Sequence, residues 1–130
     1  MDNSKDTLQQ VQEYYGKTLA SSDDLKTSAC CSTEVIPEYQ KDLLAKIDDE
    51  IVSKFYGCGS PIPLGLEGAT VLDLGCGTGR DVYLAASLAG KDGNVIGIDM
   101  TEDQLEIANR HRQTQSARFG LDGSNAVSYT

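Results

Sequence analysis

Three glycines at alternate positions, Gly75, Gly77 and Gly79, follow directly on the apolar run Val71-Leu72-Asp73-Leu74. Glycine has no Cβ, so such a segment turns sharply and lets its backbone approach another group closely. A helical pattern comes next, and a second apolar run, Val95-Ile96-Gly97-Ile98, ends at Asp99. Strand, bare turn, helix and strand form the opening of a parallel α/β sheet. In sheets of this kind ligands sit beyond the carboxyl ends of the strands.

The glycine spacing selects among ligands. Loops that hold a pyrophosphate read G-x-G-x-x-G and aim a helix N-terminus at the phosphates. Here the loop reads G-x-G-x-G. Asp99 stands 24 residues after Gly75, near the offset at which an acid accepts hydrogen bonds from ribose hydroxyls. An adenosine ligand without phosphates fits this pattern best, and S-adenosylmethionine is the common one. The alternatives are a nicotinamide dinucleotide or a turn that serves only the fold.

The 130 residues can bury one modest core. The net charge of −9 and the lack of any Lys/Arg cluster argue against a nucleic-acid partner. No apolar run reaches the roughly 20 residues that span a bilayer, and the N-terminus lacks a signal-peptide core. No membrane is expected, and a cytoplasmic location is. The cysteines are Cys30, Cys31, Cys58 and Cys76. In a reducing compartment they serve as ligands, redox groups or buried apolar residues rather than staples. No C-x-x-C pair exists, so a standard zinc site has little support. His111, the single histidine, lies in a polar helical stretch and reads as a solvated surface residue.

Along the chain, residues 1–8 are polar and are expected to fray. Leu8, Val11 and Tyr15 stand at helical spacing and predict a short helix from Leu8 to Leu19. Leu25 to Ile36 shows no period and reads as a loop. From Pro37, the spacing of Leu44, Ile47, Ile51 and Phe55 predicts one amphipathic helix to about Tyr56. A strand is expected over Thr70 to Leu74. The helix after it carries a small-residue face of Val82, Ala85, Ala86 and Ala89, and a second strand runs from Asn94 to Asp99. Thr101-Glu102-Asp103-Gln104 has the spacing of a capping box at the start of a further helix that Gly120 closes. Ala126-Val127-Ser128-Tyr129 begins a third strand.

Three parallel strands with two crossovers leave apolar faces and an unpaired edge. The chain is therefore expected to be a truncated piece of a longer protein, or to be completed by a second chain through the open sheet edge, as in an exchanged dimer. Three segments are expected. Residues 1–36 hold a helix and a cysteine loop, and 37–68 a helix and the Cys58 loop. Residues 69–130 hold the incomplete cofactor-binding domain.

Cys58 stands between two glycines in Tyr56-Gly57-Cys58-Gly59, and Cys30-Cys31 lies in a polar loop. Neither setting resembles a core. Two accessible thiol sites beside a methyl-donor fold suggest a soft, thiophilic substrate. On these residues the chain resembles the arsenite methyltransferase family. The matching stretches are Val11-Gln12-Glu13-Tyr14-Tyr15-Gly16, Leu25-Lys26-Thr27-Ser28-Ala29-Cys30, Tyr56-Gly57-Cys58-Gly59 with Pro61-Ile62-Pro63, Leu72 to Asp81, and Gly97-Ile98-Asp99-Met100-Thr101.

The resemblance implies an α/β fold. It is an incomplete Rossmann-like class I methyltransferase sheet, parallel strands with flanking helices, preceded by an N-terminal helical segment. It implies methyl transfer from S-adenosylmethionine to thiol-bound arsenic(III), with Cys30 and Cys58 as the first two of four catalytic, arsenic-binding thiols. The other two belong to family sequence beyond residue 130, so weak or no methyl transfer is expected of this chain alone. Arsenite or its glutathione conjugate would be the substrate. Thioredoxin or glutathione would reduce the disulfide left by the cycle, for which Cys30 and Cys58 are the candidate pair. Cys76 reads as a small filler of the turn, and Cys31 has no family role.

By the same resemblance Asp73, Gly75, Gly77 and Asp81 contact the cofactor around the loop. Asp99 takes the ribose, Met100 flanks the adenine, and Tyr56 and Gly57 neighbour the cofactor, with the Tyr56 ring near the cationic sulfonium. Two other functions compete with this one. One is a different small-molecule methyltransferase, and the other a non-catalytic arsenic- or thiol-binding module.

Overall fold

The computed structural model describes residues 3–18, 36–56, 60–121 and 127–130. Helix α1 (Asn3–Glu13) runs into a π-helical turn, Tyr14–Thr18. Two short helices follow, α2 (Glu38–Leu44) and α3 (Asp49–Ser53). The remainder alternates strand and helix: β1 (Thr70–Leu74), α4 (Arg80–Ala89), β2 (Asn94–Ile98), α5 (Glu102–Arg118) and β3 (Val127–Tyr129).

The strands form one parallel sheet in the order β1-β2-β3. Thr70 pairs with Asn94 and Leu74 with Ile98, while Val95 to Gly97 pair with Val127 to Tyr129. The carboxyl ends of β1 and β2 therefore stop level with each other, directly before the glycine turn and Asp99. Helix α4 is buried on most of its circumference because it lies between the sheet and the α2–α3 segment. Val82, Ala85 and Ala86 join Val95 and Val127 in one cluster, as the small-residue face predicts, and Ile47 and Ile51 close the cluster from outside. Among the described residues β1 pairs with β2 alone, and Leu72 and Leu74 are exposed. This is the incomplete, helix-flanked parallel sheet that the sequence implies.

Four expectations need correction. The first helix begins at Asn3, not Leu8. Lys5, Gln9 and Gln10 are good helix formers and Asp6 stands in the first turn, where the helix dipole favours an acid, so a polar stretch without apolar period is not thereby frayed. Leu8 is exposed, and the expected apolar stripe is only half-buried at Val11 and Tyr15.

The single helix expected over Pro37 to Tyr56 is two. Asp48 interrupts it by accepting a hydrogen bond from the Glu50 N–H (3.0 Å), which starts α3 afresh. The fully buried Gln115 of α5 holds the break: its Oε1 accepts from the Asp48 N–H (3.0 Å) and its Nε2 donates to the Lys46 carbonyl (3.3 Å).

No capping box forms at α5. Thr101 makes no side-chain cap bond, and the Gln104 amide donates instead to the carbonyl of Tyr15 (3.2 Å). His111 is not a solvated residue. Its Nε2 lies 2.5 Å from Glu50 Oε2, its Nδ1 3.9 Å from Asp48 Oδ2, and its side chain is 17% exposed. It joins α5 to α3, a contact that the polarity of its own helix does not reveal. Of the loop expected over Leu25 to Ile36, residues 25–35, with Cys30 and Cys31, lie outside the described residues, as do Gly57 and Cys58.

Candidate functional site

The glycine turn is braced from three directions. The Gly75 and Cys76 N–H groups both donate to the Ile98 carbonyl (2.7 and 3.0 Å), which ties the turn to the end of β2. The Thr78 hydroxyl donates to the Ile51 carbonyl (2.9 Å), which ties it to α3. The Gly77 N–H donates to Asp99 Oδ2 (2.8 Å), while Asp99 Oδ1 accepts from the Thr101 N–H (2.8 Å). Gly75, Gly77 and Gly79 all adopt positive φ, a conformation in which a side chain is strained. A Cβ at Gly75 would meet no atom within 4 Å, so the bare turn borders open space.

That space is a cavity of about 600 Å³, within the range that accepts a drug-sized ligand. Seven of the residues singled out in the sequence as cofactor contacts line it: Tyr56, Asp73, Gly75, Gly77, Asp81, Asp99 and Met100. The eighth, Gly57, and the thiols Cys30 and Cys58 lie outside the described residues.

The floor of the cavity is acidic. Burial pushes the Asp73 carboxyl above the usual carboxylate range, and the charges of Asp81 and Asp99 push it the same way. Asp81 is also raised by burial, which outweighs the opposing pull of Arg80. The Arg80 guanidinium donates to Asp81 Oδ1 through Nε (3.1 Å) and Nη2 (3.0 Å), and it stacks on the Phe55 ring at 3.4 Å from the centroid. It thereby fixes Asp81 and the end of α3 together. Asp99 receives one backbone hydrogen bond on each oxygen. An ionised carboxylate has about four acceptor positions, so it retains capacity for two further donors, which suits a vicinal diol.

Cys76 is buried beneath the turn, and its Sγ would meet a Cβ placed on Gly97 at 2.8 Å. Burial, followed by the charges of Asp99 and Asp73, pushes its thiol up to about 12. The thiol stays protonated near neutral pH, so Cys76 is a packing residue rather than a soft ligand.

Sequence reasoning missed part of the lining. Tyr15, Phe55, Thr78 and Gln104 also face the cavity. Tyr15 lies within a motif of the family resemblance that assigns it no role, and the capping-box spacing assigns Gln104 only to the start of α5. The ring centroids of Tyr15 and Tyr56 are 6.0 Å apart, so the two form one aromatic wall of the cavity that the acidic residues also line.

Comparison with known proteins places this geometry among methyltransferases. Residues 66–122 match the model of a methyltransferase domain. The chain is 50% identical over 111 residues to an arsenite methyltransferase of Aquipseudomonas alcaligenes, covering 85% of this chain and 32% of that protein. It is 40% identical over 118 residues to the arsenite methyltransferase of Homo sapiens, covering 90% and 32%. The crystal structure of an arsenic(III) S-adenosylmethionine methyltransferase from Chlamydomonas reinhardtii superposes with a TM-score of 0.66 at 42% identity, covering 74% of this chain and 33% of that one. The chain thus spans about a third of the length of the curated relatives it matches.

Proposed function

The chain belongs to the arsenite methyltransferase family, and from that premise we propose that it carries the cofactor site and two substrate thiols of an S-adenosylmethionine-dependent arsenic(III) methyltransferase. The observation that carries this reading is the convergence of the seven lining residues on one cavity above a bare glycine turn.

The residues fit the cofactor. Asp99 offers its remaining lone pairs to the ribose hydroxyls, and Met100, beside it, offers an apolar surface to the adenine. Asp73 and Asp81 face the ammonium group of the methionine end. When bound, S-adenosylmethionine supplies an electrophilic methyl group on a sulfonium. The acidic floor holds that cationic ligand in preference to the uncharged thioether left after transfer. The glycines leave backbone, not side chains, against the ligand.

Cys30 and Cys58 would bind arsenic(III) as thiolates, received as arsenite or its glutathione conjugate. Two sulfurs on one arsenic orient its lone pair toward the methyl group, and the chain contributes mainly alignment. If the cycle oxidises this pair to a disulfide, thioredoxin or glutathione is the reductant class that restores it.

Calorimetry with S-adenosylmethionine tests the cofactor site. The chain binds it, and Asp81→Asn weakens S-adenosylmethionine and S-adenosylhomocysteine alike, because both carry the ammonium group that Asp81 faces. Unchanged affinity for both would show that Asp81 does not meet that group. Arsenite protection of Cys30 and Cys58 from alkylation, read by mass spectrometry, tests the thiols. Alkylation at an unchanged rate would remove them from the reading.

A further inference from the structure

The motif Val11-Gln12-Glu13-Tyr14-Tyr15-Gly16 stands far from the glycine turn in sequence, yet its Tyr15 lines the cavity. Two anchors hold it there. The Gln12 amide donates to the Met100 carbonyl (2.6 Å), and the Gln104 amide donates to the Tyr15 carbonyl (3.2 Å). Both anchors, Met100 and Gln104, themselves line the cavity. The approach is close: a Cβ on Gly16 would fall 2.5 Å from Asp103 Oδ2 and 3.0 Å from Thr101 Cγ2. The ring of Tyr14 meets that of Tyr15 edge-on at 5.2 Å, and the row continues to Tyr56 at 6.0 Å.

We propose that the π-helical turn Tyr14–Thr18 is a strap that completes the cofactor cavity, with Tyr15 as a ligand-positioning residue and Gln12, Gly16 and Gln104 holding it in place. The proposal rests on the cofactor reading above. Two aromatic rings and three carboxylates lining one cavity suit a cation embedded in an organic ligand, because ring faces and carboxylates attract the same charge. The anchors also couple strap and ligand. A ligand that orders Met100 and Gln104 orders the groups on which Gln12 and Tyr15 depend. The close contact at Gly16 explains why a residue that does not touch the cavity belongs to the same motif as one that does.

The test is hydrogen exchange of the unaltered chain with and without S-adenosylmethionine at ten times its dissociation constant, together with calorimetry of three variants. Amides within 3–18 should exchange about tenfold more slowly with ligand present. Tyr15→Ala should weaken binding about tenfold, while Tyr15→Phe, which keeps the ring, should stay within about twofold. Gly16→Val should match Tyr15→Ala without lining the cavity itself.

Unchanged exchange over 3–18, in a chain that binds the cofactor and loses it on Asp99→Ala, overturns the strap and leaves the cofactor reading standing. Full affinity in Tyr15→Ala overturns the role of Tyr15. Absence of any cofactor binding overturns the strap and the cofactor reading together. The exchange measurement uses no substitution, so a variant that fails to fold does not remove the test.

Discussion

The two sides of the cavity are built in different ways. The floor, from β1 through the glycine turn to Asp99, is assembled mainly by neighbours in sequence: the turn hangs on the Ile98 carbonyl and on Asp99, both within one strand–helix–strand unit. One further tie, from Thr78 to the Ile51 carbonyl, crosses 27 residues. The outer wall is assembled by strangers. Gln12 reaches Met100 across 88 residues, Tyr15 meets Gln104 across 89, and the α2–α3 break that sets Phe55 and Tyr56 is fixed by Gln115 across 67. Local covalent order therefore specifies the floor, while tertiary packing specifies the wall. The floor should tolerate few changes in its own residues, and the wall should be sensitive to distant ones.

The severest test of this contrast is at Gly79. Its φ of 97° is left-handed, and a Cβ there would land on the Tyr129 hydroxyl. Left-handed strain and overpacking add, so Gly79→Ala should cost about 3 kcal/mol in urea unfolding. Tyr129→Phe on that background should recover part of the loss by removing the oxygen. Full recovery would mean that the backbone strain is negligible.

Asp99 comes next. Asp99→Ala leaves the Gly77 and Thr101 N–H groups without their acceptor and removes the proposed ribose partner. Cofactor affinity should fall about a hundredfold in calorimetry, the worth of two charge-assisted hydrogen bonds. A loss of only twofold would show that the floor does not read the ribose.

The same contrast explains what was legible in the sequence. The strands, α4, the glycine turn and Asp99 follow from patterns a few residues long, each with its own physical cause, whereas Asp73, Asp81 and Met100 follow from the family resemblance. The α2–α3 break was not legible, because the apolar spacing of Leu44, Ile47, Ile51 and Phe55 continues through it while Asp48 and Gln115 stop the backbone. Gln104 carried a valid capping signal, but a backbone carbonyl from the strap claimed its amide. His111 looked solvated because its partners, Asp48 and Glu50, sit on another helix. Each failure is a long-range polar contact that overrides a correct local preference.

A third prediction separates binding from stability within the floor. Burial raises the folded-state pKa of Asp73 above its ordinary value. A raised carboxyl destabilises the fold wherever it is ionised, and the penalty disappears as pH falls through the folded value and then the unfolded one. Asp73→Asn should therefore raise the thermal midpoint at pH 7, and the gain should vanish in acid, while cofactor affinity at pH 7 drops. A stabilised variant that binds as well as the original chain would take Asp73 out of the site and leave it as a supporting residue of the turn.

The smallest expected effect lies on the wall side, at Glu50. Its carboxylate accepts from Arg110 (3.1 Å) and lies against His111. The hydrogen bond from His111 is the chief cause that holds its pKa below the usual range. Partial desolvation opposes it, and the charges of Arg110, His111 and Lys54 assist it. The Glu50 side chain is 31% exposed and that of Arg110 54%, so Glu50→Gln should cost no more than about 1 kcal/mol at pH 7. A depressed carboxyl contributes stability in full above its unfolded pKa and loses it as pH falls through the lower, folded value. The gap between Glu50→Gln and the original chain should therefore close in the acid range below the ordinary glutamate pKa. Cofactor affinity should stay within about twofold, because the Thr78–Ile51 hydrogen bond still ties α3 to the turn. A stability gap that persists in acid would mean that Glu50 holds α3 by packing rather than charge. An affinity loss would mean that the wall depends on α5 through Glu50 as strongly as the floor depends on its own strand ends.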